Sequence, residues 1–76
     1  MTKQIDIKEL IPFMKKGWVA CNKDGTWWWY SAKPKLEIWY EYWDCYGKYV
    51  EEISFIFKNI KPAEDWTKSL IKVGGK

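Results

Sequence analysis

Histidine and arginine are both absent from this chain of 76 residues. Without histidine the commonest general base and metal ligand is missing, and nucleophilic triads of the usual type are excluded. Every one of the thirteen basic residues is a lysine. That argues against bidentate reading of guanine edges, where arginine dominates, but leaves point-charge contacts to phosphate available. The lysines are scattered and the formal charge is only +3, unlike a duplex-DNA binder. The two cysteines, Cys21 and Cys45, are too few for a zinc site. No secretory signal precedes them, so a reduced cytoplasm is the expected setting, with both thiols acting as small apolar fillers in preference to a disulfide. No apolar run approaches the ~20 residues that span a bilayer.

What the chain does have is aromatic rings. Seven Trp, five Tyr and three Phe make up a fifth of it, and each ring brings roughly 150–250 Å² that favours burial. A single domain, residues 1–76, is expected, and a domain of this size has a thin core.

Asp6 with Glu9 three residues later fits a capping box, and Ile7, Leu10, Ile11 and Met14 follow at helical spacing, which predicts an amphipathic helix over about 6–16 with a disturbance at Pro12. Trp18 to Asn22 reads as a strand, Lys23-Asp24-Gly25 as a turn, and Thr26 to Ser31 as the second strand of a hairpin. Lys35 to Trp43 alternates and reads as a third strand, followed by a turn at Asp44 to Gly47. A fourth strand is expected over Lys48 to Lys58, with Tyr49, Ile53, Phe55 and Phe57 inward and Ile56 on the other face. Pro62-Ala63-Glu64-Asp65-Trp66 suggests one helical turn, and Leu70, Ile71 and Val73 a last strand before a frayed Gly-Gly-Lys tail. The class is therefore α+β: an N-terminal amphipathic helix packed on a curved antiparallel sheet of four to five short strands, with a small barrel-like fold as the alternative.

Period two divides Trp27, Trp29 and Ser31 from Trp28 and Tyr30. The serine suits the exposed set, which assigns Trp28 and Tyr30 to the core and sends Trp27 and Trp29 outward with Trp39 and Trp43. Four outward indoles on neighbouring strands amount to an apolar surface at or above the largest patch usual on a monomer. Two uses fit it: an interface between copies of the chain, and a platform on which nucleobases stack. They are compatible, because rings from two subunits can form one slot. Lys33, Lys35 and Lys48 stand ready at nearby turns for phosphate, and Asp65 for a ribose or base amide. The neighbouring acids Glu51-Glu52 and Glu64-Asp65 read as a solvated strand face and a helix-start pair, since hydrolysis needs two carboxylates set across a cleft. No catalytic residue is nominated, and neither a cofactor nor a metal is expected.

The segment IDIKELIPFMKKGWVACNKDGTW (residues 5–27), together with AEDW (63–66), resembles the second Thoeris anti-defence family of small phage-encoded proteins. It departs from that pattern at Trp18-Val19-Ala20, where basic residues commonly follow the helix, and in its Trp-rich middle. The resemblance implies a small α+β homo-oligomer in the bacterial host cytoplasm that holds a cyclic nucleotide immune signal at subunit interfaces without cleaving it. It sets Asp65 and Trp66 in the matching terminal motif. The rival expectation is an interaction module that grips a host protein through the same aromatic face, and single-stranded nucleic-acid binding ranks third at so low a net charge.

Overall fold

The computed structural model describes residues 4–45, 49–57 and 59–74, the side chains of Phe55 and Ile56 excepted. Lys48, Lys58, the Gly47 end of the expected turn and the Gly75-Lys76 tail lie outside the described residues. The class is α+β, as the sequence predicts. A four-stranded antiparallel sheet has the order β5-β2-β1-β6, where β1 is Gly17–Cys21, β2 Trp27–Tyr30, β5 Val50–Glu52 and β6 Ile71–Val73. A separate two-stranded ladder joins β3 (Lys35–Glu37) to β4 (Tyr42–Asp44).

The N-terminal helix forms for the expected reason but is shorter. The Asp6 carboxylate accepts from the Lys8 N–H at 2.9 Å, and the Glu9 carboxylate accepts from the Asp6 N–H at 3.1 Å, completing the capping box. Helix α1 covers only Ile7–Leu10, because Pro12 has no N–H to continue the ladder; Ile11–Phe13 tighten into a 3-10 turn and Met14 is extended. The first hairpin is as read: Gly25 sits at φ 90°, and the Asp24 carboxylate accepts from the Thr26 N–H and hydroxyl at 3.0 and 2.6 Å.

Two expected strands are broken. The run 35–43 folds back on itself through a turn at Ile38–Glu41, with Tyr40 N–H donating to the Glu37 carbonyl at 3.1 Å and Glu41 at φ 62°. Alternation reports which face a residue takes in a strand and carries no information on where the strand reverses. The run 48–58 is a strand only over β5 and then becomes a helical turn, α2 (Ile53–Ile56). Tyr49 and Phe57 are exposed instead of inward, while Ile53 is buried.

Both faces of the large sheet are covered, so there are two thin cores. On the helix side Ile7, Val19, Cys21, Trp27, Ile53, Ile60 and Val73 pack together. On the other side Ala20, Tyr30 and Cys45 pack with half-buried Trp18, Trp28, Trp43 and Leu70. The outward assignment of the indoles is corrected accordingly. Trp27 is only 3% exposed, and Trp29 and Trp43 are half-buried. The parity of β2 is right, but it is Trp27 and Trp29 that face the helix; Ser31 is exposed because it lies past the end of β2, so its exposure says nothing about parity. Of the four, Trp39 alone stands free, at 91% exposure. Cys21 and Cys45 are free thiols in different cores. Burial pushes the Cys21 thiol above its ordinary value.

Candidate functional site

The buried and half-buried indoles act as pins between the sheet and the segments that cross it. Nε1–H of Trp27 donates to the Lys61 carbonyl (2.9 Å), that of Trp28 to the Thr26 hydroxyl (3.0 Å), that of Trp29 to the Lys15 carbonyl (3.1 Å) and that of Trp43 to the Trp66 carbonyl (3.0 Å). A buried indole needs such a partner, and here each partner lies on a loop, a turn or a strand end that must be fixed.

Trp29 is also held by packing. Its ring lies over Gly17, where an added Cβ would come within 2.6 Å of the indole and 2.5 Å of the Tyr30 carbonyl. One edge of the ring meets Tyr49 in a T-shaped contact, centroids 6.0 Å apart at 61°. Tyr49 is held by its backbone carbonyl, which accepts from the Ser31 N–H at 3.1 Å. The 3-10 turn at Ile11–Phe13 then places Phe13 and Met14 opposite, and the end of α2 adds Phe57. These side chains, with Ile53 beneath and Lys15 and Glu51 at the rim, enclose a groove of about 440 Å³. That volume lies within the range of small-molecule sites. Phe13 is 87% exposed and Tyr49 63%, so the groove's rings face solvent. Chemically it offers flat apolar walls for a planar group, one ammonium and one carboxylate.

The expected site residues do not converge on one place. Trp29 belongs to the groove. Trp27 and Asp65 line a second hollow of about 490 Å³, among Asp6, Lys8, Lys61 and Lys68. Asp65 caps the 3-10 turn Trp66–Lys68: its Oδ1 accepts from the Thr67 hydroxyl at 2.6 Å and N–H at 3.0 Å, and these bonds hold its carboxyl below the usual carboxylate value. Lys33 and Lys72 both lie over the Trp18 ring, at 5.7 and 5.9 Å from its centroid. Lys35 pairs across the small ladder with Asp44. Ser31 is exposed beside the Tyr49 backbone, Trp43 braces the far core, and Trp39 crowns the β3–β4 turn. Glu51 and Glu52 diverge, one to the groove rim and the other to the start of α2.

Phe13, Met14, Lys15, Tyr49 and Phe57 are groove residues that the sequence reading did not nominate. Phe13 carried a signal, since it falls off the apolar stripe formed by Ile7, Leu10, Ile11 and Met14. Tyr49 and Phe57 carried none, because both look inward on an unbroken strand. Among the described residues no group of three or more His, Cys, Asp or Glu side chains is placed to hold a metal, and no helix is long and apolar enough to cross a membrane. No protein-family model, curated protein or solved structure matches the chain.

Proposed function

We propose that this protein is a non-enzymatic binder of a small cyclic nucleotide or dinucleotide, which its aromatic groove takes between Trp29, Tyr49, Phe13 and Phe57 while Lys15 meets a phosphate. In the cytoplasm of an infected bacterium such binding withdraws an immune signal, and the protein serves as a phage counter-defence factor. The observation that carries this reading is the T-shaped Trp29–Tyr49 pair, with the Trp29 ring packed on Gly17 and the Tyr49 ring facing solvent, in a groove of about 440 Å³. Aromatic faces stack bases, and each base so placed contributes roughly 1–3 kcal/mol. The resemblance of residues 5–27 and 63–66 to a cyclic-nucleotide sponge family supports the choice of ligand.

The test is titration with a panel of cyclic mono- and dinucleotides, read by tryptophan fluorescence and by melting. At a hundredfold excess over Kd the bound form gains about 2.7 kcal/mol, a rise in Tm of roughly 10–20 °C for a domain of this size. A panel that moves neither signal removes the proposal. A single stoichiometric protein retained from host lysate through the groove would replace it with inhibition of that protein.

A further inference from the structure

The polar side chains of the groove are few and set apart. Trp29 has spent its N–H on the Lys15 carbonyl, so among the described residues that line the groove Lys15, Glu51 and the Tyr49 hydroxyl are the side chains left to meet a polar ligand atom. The strand order β5-β2-β1 sets Trp29 between the two charges: Glu51 pairs with it directly from β5, and Lys15 stands just ahead of β1. A carboxylate therefore flanks the Trp29 ring on one side and an ammonium on the other. Glu51 is exposed, and among the described residues it makes no ion pair.

We propose that the base this groove takes is guanine, read by Glu51, an assignment that rests on the cyclic-nucleotide reading of the groove. A carboxylate has two acceptor oxygens and no donor, and it repels phosphate, so it suits the end of the ligand that carries hydrogen-bond donors. In a cyclic nucleotide the phosphate is fused to the ribose. A phosphate at Lys15 thus keeps the sugar and its hydroxyl on that flank, and the edge of the base remote from the sugar is left for Glu51. Guanine presents two adjacent donors on that edge, the ring N–H and the exocyclic amino group, which match the two carboxylate oxygens in a charge-assisted bidentate pair. The other bases do not. Adenine and cytosine set an acceptor nitrogen beside their amino group, and uracil flanks its single N–H with carbonyls, so each turns a lone pair on the carboxylate and leaves one oxygen without a donor. Opposite charges on the two flanks also fix the direction in which the ligand lies, phosphate toward β1 and base edge toward β5.

Titration of wild type and Glu51→Gln with matched guanine, hypoxanthine and adenine cyclic nucleotides, read by tryptophan fluorescence, tests the assignment. Wild type is expected to prefer guanine over adenine by about 5- to 150-fold, the range of one bidentate contact to a base. Hypoxanthine keeps the ring N–H but lacks the amino group, and its affinity is expected to fall between the two. Glu51 is exposed on an edge strand and the substitution keeps its shape, so E51Q is expected to melt with wild type. The amide replaces one acceptor with a donor, which fits the adenine edge, and E51Q is expected to lose the guanine preference or reverse it. Adenine bound by wild type as tightly as guanine or more so, or a guanine preference that survives E51Q, overturns the assignment while the groove stands as a nucleotide site. A wild type that binds none of the three removes the nucleotide reading and the choice of base together.

Discussion

Hydroxyl groups finish the ladders of this small sheet where strand partners run out. The central strand β1 continues past the end of its neighbour β6, and there the Cys21 N–H donates to Ser69 Oγ at 2.8 Å while the same hydroxyl reaches the Trp66 carbonyl at 2.6 Å. Beside it, Trp27 N–H donates to Ser54 Oγ at 2.9 Å where β5 turns into α2. Ser69 is the one buried polar side chain among the described residues, so Ser69→Ala leaves a buried N–H without its acceptor and is expected to cost about 1–3 kcal/mol in urea unfolding; an unchanged midpoint would contradict this role. Gly17→Ala brings a methyl group into the Trp29 ring and a backbone carbonyl, and is expected to lose about 1–3 kcal/mol by overpacking. The same variant displaces Trp29, so the Trp29–Tyr49 contact loosens along with the fold. Tyr30 is buried with its hydroxyl on the Trp43 carbonyl at 3.2 Å, and burial, with Asp44 nearby, raises its pKa far above the ordinary value. A tyrosine raised in the folded state contributes fully below its unfolded value of ~10, and that contribution is lost as pH climbs from there toward the folded value. Stability is therefore expected to fall above about pH 10 in wild type and to fall less steeply in Tyr30→Phe, measured by melting across that range.

At the scale of elements, Pro12 decides where the groove's near wall stands. By ending α1 at Leu10 it throws Phe13 and Met14 out of a continuing helix and over Trp29. Pro12→Ala is expected to extend the helix, raising the far-UV helical signal, and to weaken ligand binding as Phe13 swings away; a gain in helix with unchanged affinity would show that Phe13 is dispensable. The same element shows what sequence patterns convey. Asp6, Glu9 and the Asp24-Gly25 pair act through neighbours a few residues away, so the helix start and the first hairpin are legible. The reversal at Ile38–Glu41 is not, because it contains no glycine or proline and forces Glu41 to a positive φ that only tertiary support maintains. The Lys23–Glu41 pair and the bond from Lys23 N–H supply that support from a remote turn. For the same reason Tyr49 and Phe57 were assigned inward. The exposure of Phe57 follows from the change of β5 into α2, beside which Trp27 N–H donates to Ser54 Oγ, whereas Tyr49 lies ahead of β5 on the edge of the sheet.

For the whole molecule, covering both faces of one sheet changes the fate of the rings. A single core cannot hold the indoles, but two half-thickness cores take Trp27 completely and Trp18, Trp28, Trp29 and Trp43 in part. The Cα radius of gyration, 11.8 Å, is close to the ~11 Å expected for a compact domain of this length, so the exposed aromatics are not a product of loose packing. Among the described residues they fall in two places, the groove around Trp29 and Tyr49 and the apex at Trp39. The most direct measurement for this account is calorimetric titration of cyclic nucleotides into wild type and Tyr49→Ala. The account predicts saturable binding of at least one cyclic nucleotide to wild type, weakened about 5- to 150-fold in the variant, the equivalent of one lost stacking contact. Binding of equal strength in both proteins, or none in wild type, would contradict it.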